Sequence, residues 1–234
     1  KSTLAKILTG FITRDSGDIL LDGKPARIST PADATAAGIG MLHQDPLDVP
    51  AMTALDNFMA GMPGRSPVTV LRGAAAEKRF REIAAGLGFK LDPRDRVGDF
   101  TVGERQQLEV IRLMALGVRT LILDEPTTGI SAAQKDQLFE AVRQMAREGR
   151  SIIFVSHKLE DVCALCDEVT VMRRGEVMGG RVLREEGRLL EVNETYARMS
   201  GYTVDELVGM HVSQLVADES PSVAPNGSMI IYAT

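Results

Sequence analysis

Lys1 followed by Ser2, and Asp124 followed by Glu125 at the end of the apolar run Leu121-Ile122-Leu123, are residue types that phosphoryl transfer requires. An ammonium offsets charge on β- and γ-phosphates, a hydroxyl and an aspartate hold Mg2+, and a glutamate polarises an attacking water. His157 comes after a second apolar run, Ile152 to Val155, and Gln44 after a third that includes Met41 and Leu42; both can sense a γ-phosphate. Lys-Ser also ends the phosphate-loop pattern G-x-x-x-x-G-K-[ST], whose glycine N–H groups cradle phosphate and are expected upstream of Lys1. The chain thus reads as a fragment that starts inside that motif. Taken singly, these residues have ordinary readings, since an acidic pair before Pro126 also starts a turn, a histidine also caps and an amide also fills a loop. Only the constellation carries the chemistry.

The elements that position these groups are legible from periodicity. Ser2 to Leu8 suits the helix that comes after a phosphate loop, and Asp18 to Ile28 alternates around the hairpin signal Asp22-Gly23. Gly38 to His43 reads as a strand. Thr53 to Gly61, Ala74 to Leu87 and Glu104 to Leu116 read as helices, the last with Arg105, Glu109 and Arg112 on one exposed side. From Thr120 strands (121–123, 152–155, 169–172) alternate with helices (132–148, 159–166), which predicts a parallel sheet covered by helices. The strand runs are continuously apolar, as expected of strands buried on both faces. Parallel sheets place ligands at the carboxyl ends of their strands, where Gln44, Asp124, Glu125 and His157 fall.

Composition narrows the function classes. The chain has 234 residues, 44% hydrophobic and 25% charged, enough for one or two domains. A net charge of −5 argues against a sequence-independent grip on nucleic acid, which needs a basic stripe. No apolar run approaches the roughly 20 residues needed to span a bilayer, and no signal-peptide pattern opens the chain. Cys163 and Cys166 form a C-x-x-C inside a helical pattern without a second pair for zinc, and read as cytosolic thiols.

Residues 1 to about 180 resemble the nucleotide-binding domain of an ABC transporter, with the motifs in that family's order. Lys1-Ser2-Thr3 matches the end of Walker A, Gln44 the Q-loop, Leu121 to Glu125 Walker B with its catalytic glutamate, and His157 the switch histidine. Phe100-Thr101-Val102-Gly103-Glu104 stands where the family has its L-S-G-G-Q signature. The resemblance implies that Thr101 supplies a hydroxyl, and Gly103 a close backbone approach, to the γ-phosphate of a nucleotide held by the opposite protomer, with Glu104 beside them. Val102, Glu104 and Gln134 depart from the commonest pattern and are similar to the first domain of tandem simple-sugar and nucleoside importers.

By this resemblance the chain is expected to take a P-loop α/β fold with a helical subdomain, binding ATP and Mg2+ (Ser2, Gln44 and Asp124 as metal ligands). The resemblance also implies a head-to-tail dimer with a second nucleotide-binding domain, membrane permease subunits, and indirectly an extracytoplasmic substrate-binding protein. The chain would sit in the cytoplasm, peripheral on the cytoplasmic face of the cell membrane, with residues of roughly 45 to 115 as its coupling surface. Without the phosphate-loop donors, each contributing roughly 1.5 to 3 kcal/mol, ATP affinity should drop by several orders of magnitude, so the chain is expected to be a poor ATPase. Absence of the strand before the loop is expected to leave neighbouring strands unpaired.

The expected organisation is an ATP-binding domain over 1–182, a partial segment over 183–218 that resembles the front of a PAS sensory domain, and a loop or disordered tail over 219–234. The PAS resemblance rests on Gly187 to Asn193, Thr195 to Tyr202 and Glu206 to Gly209. Its plainer alternative is a hairpin and amphipathic helix packed on the ATPase core. Two further readings stand beside the importer: a soluble ABC-type ATPase acting on nucleic acid or ribosomes, and a PAS-linked signalling fragment or chimeric remnant.

Overall fold

The computed structural model describes residues 1–43, 47–62, 73–173, 175–179, 181–183, 188–191, 194, 197–198, 201–210 and 228–233. Helix α1 (Ser2–Leu8) leads to a hairpin of β1 (Ile19–Leu21) and β2 (Lys24–Ala26), then α2 (Pro31–Ala36) and β3 (Ile39–Leu42). Asp22 and Gly23, at the hairpin turn, have φ of 50° and 73°, the left-handed pair that a two-residue turn of this hand requires. The helical middle holds α3 (Ala54–Ala60), α4 (Gly73–Gly86) and α5 (Val102–Ala115). Next come β4 (Thr120–Asp124), α6 (Ala132–Arg147), β5 (Ser151–Ser156), α7 (Leu159–Leu165) and β6 (Glu168–Arg173). The C-terminal part supplies β7 (Glu176–Gly179), β8 (Arg181–Leu183), β9 (Arg188–Glu191), α8 (Val204–Leu207) and β10 (Ser228–Ala233).

The main sheet has the order β3-β4-β5-β10-β6-β7. β3, β4 and β5 are parallel neighbours, and β10 runs antiparallel to both β5 and β6, so β5 and β6 point the same way. Period-2 alternation sorts the apolar strand residues onto two cores. Leu121, Leu123, Ile152 and Phe154 enter the larger core with α3 to α7, while Ile122, Ile153 and Val155 join Ala5, Ala34 and Met41 on the other face. That two-sided burial is why the runs are continuous rather than alternating.

Helix starts are specified locally. Thr30/Asp33, Thr53/Asp56, Thr101/Glu104, Ser131/Gln134 and Thr203/Glu206 each form a capping box, the first side chain accepting from the N–H three residues on and the second accepting from the cap N–H. Each satisfies two orphan donors and contributes about 1 kcal/mol.

Three expectations are corrected by the tertiary structure. The strands expected to lack a neighbour are paired, because β10 fills the place between β5 and β6. The stretch 219–234, expected as loop, contains that strand at Ser228–Ala233. Glu109, expected on an exposed face, is buried against Arg112, and Arg105 and Arg112 are half-buried, because this side of α5 faces residues 47 and 48. In the C-terminal part, Ala197 and Leu207 belong to the same buried cluster as Val162, Leu165 and Cys166. The side chain of Cys163 lies outside what the structure describes.

Candidate nucleotide site

The carboxyl ends of β4 and β5 and the first residue before α1 converge. β4 ends at buried Asp124, and Glu125 comes next with φ of 53°, a left-handed conformation uncommon for a side-chain-bearing residue. Its N–H donates to the Val155 carbonyl at 2.8 Å, which locks this turn against the neighbouring strand. Strain of this kind persists where the surroundings over-determine it, and it aims the Glu125 carboxylate across the strand ends. There Glu125 Oε2 lies 2.7 Å from His157 Nδ1 and Oε1 lies 3.8 Å from Lys1 Nζ. Lys1 Nζ also donates to the Ser156 carbonyl at 2.9 Å. Burial pulls the Lys1 ammonium below the usual lysine range, and the Glu125 and Asp124 carboxylates oppose that pull.

Asp124 Oδ1 is buried and has no hydrogen-bond partner among the described residues. An orphaned carboxylate oxygen beside a lysine and a glutamate suits a hard cation that brings its own waters and phosphate oxygens, as Mg2+ does when held by one or two carboxylates. No cluster of three or more His, Cys, Asp or Glu among the described residues offers an all-protein metal cage. Ser2 and Thr3 sit exposed on the first turn of α1, next in sequence to Lys1. Gln44 lies outside the described residues. Its neighbour His43 packs edge-on against Phe11 with ring centroids 5.1 Å apart, and burial lowers its pKa. His211 lies outside the described residues too.

The signature-like residues form a second cluster at the head of α5. The Thr101 hydroxyl donates to Glu104 Oε2 at 2.7 Å and accepts from Gln134 Nε2 at 2.8 Å, so it is engaged within the chain. Gly103 is buried under the Gln134 side chain, where a Cβ would come within 2.6 Å of Cδ. The close approach that needs this glycine is therefore made inside the chain, by a residue of α6. Gln134 in turn holds Ser131, since its Oε1 accepts from the Ser131 N–H at 3.1 Å.

Sequence reasoning missed two supporting networks. Asp161, 1% exposed, accepts from the Thr127 hydroxyl at 2.6 Å and from Lys135 Nζ at 3.1 Å, while Lys158 Nζ donates to the Thr127 carbonyl at 3.1 Å. These bonds tie the segment after Glu125 to the segment after His157. Buried Asn57 clamps Val49 through both of its backbone groups, at 2.8 and 3.1 Å. Arg105 pairs with Asp48 at 3.5 Å and Arg112 donates to the Leu47 carbonyl at 3.4 Å, which ties residues 47–49 to α5. The result is a held loop that presents exposed apolar side chains, Leu47, Val49 and Met52, at 55, 46 and 43%. An aspartate at the third position of a predicted helix and an asparagine on an apolar helix face are the only local signals that pointed to either network.

Comparison with known proteins gives the family and the fold. A family profile described as ABC transporter matches residues 1–128. The chain is 38% identical over 221 residues to "Ribose import ATP-binding protein RbsA 1" of Rubrobacter xylanophilus, covering 94% of this chain and 41% of that protein. It is 35% identical over 211 residues to "Arabinose import ATP-binding protein AraG" of Ralstonia nicotianae, covering 89% and 40%. The chain thus spans about two fifths of the length of these curated relatives. Among solved structures, a nucleotide-free ATP-binding cassette from an ABC transporter superposes with a TM-score of 0.67 at 21% identity, covering 88% of this chain and 82% of the other. The ADP conformation of another such cassette gives 0.67 at 25% identity over the same shares. With a P-loop-type α/β fold shared with those cassettes and a profile match over more than half its length, the chain belongs to the ABC transporter family, as an ATP-binding component.

Proposed function

We propose that this chain belongs to the ATP-binding subunit of an importer that binds and hydrolyses Mg-ATP to drive uptake of a sugar through a partner permease, with Glu125 as the catalytic base and His157 as the group that orients it, residues 1–234 by themselves being weak in this activity. The observation that carries the reading is the left-handed Glu125, its carboxylate 2.7 Å from His157 Nδ1 and beside the orphaned oxygen of Asp124. Glu125 accepts the proton of an attacking water. His157, 60% exposed in its side chain, stands where a γ-phosphate would engage it from the solvent side. Lys1 Nζ, already directed between Glu125 and the Ser156 carbonyl, supplies positive charge for phosphate oxygens. Asp124, with Ser2 and Gln44, would hold the cation, which when bound would offset the charge that develops on the transferring phosphoryl group.

The exposed start of α5, Thr101 and Val102 with half-buried Glu104 beside them and Gly103 packed beneath, is the face offered to a second nucleotide-binding domain in a head-to-tail dimer. The apolar side chains at 47, 49 and 52 form the face offered to the permease, and their ties to α5 give nucleotide-driven motion a path between the two faces. Ribose, arabinose and glucose appear in the names of the relatives, which favours a sugar as cargo, delivered to the permease by an extracytoplasmic binding protein. The corresponding location is peripheral, on the cytoplasmic face of the membrane; no described helix is long and apolar enough to cross it.

Calorimetry with Mg-ATP tests the reading on residues 1–234 and on a version in which a strand and a G-x-x-x-x-G loop precede Lys1. Binding is expected to be weak in the first and tight in the second, with phosphate release from the second lost in Glu125→Gln while binding is kept. Binding in neither form, or turnover that survives Glu125→Gln, contradicts it.

A further inference from the structure

We propose that Thr127 and Asp161 are positioning residues for Glu125 and His157: with Lys158 they bridge the turn that carries the glutamate to the turn that carries the histidine, and so keep the two side chains at contact distance. The bridge bears on turnover only through the reading of Glu125 and His157 as base and orienting group; its effect on their geometry stands without it.

Glu125 and His157 come from the ends of different strands, so their approach depends on what holds the two turns together. Glu125 leaves β4 with φ of 53°, a backbone conformation that persists where its surroundings hold it. On the strand side its N–H donates to the Val155 carbonyl at 2.8 Å, and within the turn the Thr128 N–H donates to the Glu125 carbonyl at 3.2 Å. Between them Thr127 is buried, and its hydroxyl donates to Asp161 Oδ2 at 2.6 Å. His157 leaves β5 after Ser156, whose hydroxyl accepts from the Lys158 N–H at 3.0 Å. Lys158 Nζ then reaches across to Thr127, donating to its carbonyl at 3.1 Å and to its hydroxyl at 3.3 Å. The Thr127 hydroxyl therefore accepts from the residue after His157 and donates to the first turn of α7, which fixes the glutamate turn against the histidine turn from two directions.

The energetics favour a geometric role over a stabilising one. Asp161 is buried, and a buried carboxylate must recover its lost hydration from partners. Among the described residues these are the Thr127 hydroxyl and Lys135 Nζ, the latter at 3.1 Å, and the bond to Asp161 holds the Lys135 ammonium above the usual lysine range. A buried ion pair adds little net stability over an apolar filling of the same volume. What it fixes is direction, since hydrogen bonds weaken steeply as their angles close. Thr127 precedes α6, Lys135 lies on α6 and Asp161 on α7, so one carboxylate sets the direction of three segments around the strand ends.

The test reads the pair directly, by NMR at the ring signals of His157 in residues 1–234, whose three histidines keep the assignment short. Glu125→Gln is the probe: exchanging the carboxylate for an amide is expected to displace those signals in the wild-type background. In Thr127→Val, which keeps the shape and removes the hydroxyl, the displacement is expected to fall at least twofold, and likewise in Asp161→Asn. Thr127→Ser keeps the hydroxyl and is expected to keep the full displacement. Phe80→Leu, a core change in the helical middle that lowers stability through packing alone, is expected to leave it unaltered. A displacement as large in Thr127→Val and Asp161→Asn as in the wild type, or one diminished as much by Phe80→Leu or by Thr127→Ser, overturns the positioning role. So does a wild type in which Glu125→Gln leaves His157 unmoved, because there is then no pairing to hold. Where Asp161→Asn does not fold, the two Thr127 variants decide the matter. The readout uses no nucleotide, so failure of the ATPase reading shows in calorimetry and leaves this test intact.

Discussion

Glu109 illustrates how a single carboxyl records its surroundings. Burial raises its pKa above the ordinary 4.5, against the pull of Arg112. In the window between the unfolded and folded values the native state holds the proton that the unfolded chain has released, so this group's contribution to stability is complete below the unfolded value and declines as pH rises through the folded one. Thermal melts of the wild type and Glu109→Gln from pH 4 to 8 are expected to show the wild type losing stability relative to the variant as pH increases. A difference that stays flat or runs the other way means the carboxyl is not raised. Glu125 belongs to the same scale. Its place at the end of an apolar run was readable in the sequence, but its left-handed backbone and its approach to His157 came only with the neighbouring strand and the bond to Val155.

Between elements, the contact of α5 with α6 is set by the absence of one side chain. Gly103 leaves room for Gln134, which is held by Thr101 and by its own cap residue Ser131. Gly103→Ala forces the amide out and breaks the bonds that join two helix starts, and is expected to cost about 1 to 2 kcal/mol, the order of a lost cap. Gln134→Ala loses the same bonds without the clash and should cost less, and the double variant should cost no more than Gln134→Ala alone. Denaturant unfolding of the four members of this cycle checks the coupling; strict additivity rules it out. The strands and helices read from the sequence were legible because their signals lie within a few residues. The Gly103–Gln134 contact joins residues far apart in sequence, and no local pattern encodes it.

For the molecule as a whole, the arrangement separates the corner at the strand ends, proposed to handle phosphate, from an apolar loop held against α5. Val49→Asp with Met52→Asp places charge on that loop without touching Lys1, Asp124, Glu125 or His157. Co-purification with permease subunits is expected to drop at least tenfold while Mg-ATP affinity of the loop-restored chain stays unchanged. Retained permease capture would move the docking face elsewhere, and a parallel loss of ATP affinity would show that the two faces are not separable. The C-terminal residues belong to this scale as well, through Leu207 in the core and β10 in the sheet.

Residue order alone determined which groups could handle phosphate, and the alternation of apolar runs and amphipathic helices that carries them to one end of a parallel sheet, because both are short-range patterns of side-chain type. Only the tertiary structure decided that Glu109 is buried, that Asp161 ties Thr127 to Lys135, and that Ser228–Ala233 lies between β5 and β6. Those outcomes depend on backbone pairing and packing between distant segments, and an apolar run of four residues does not say which pair of strands will take it in.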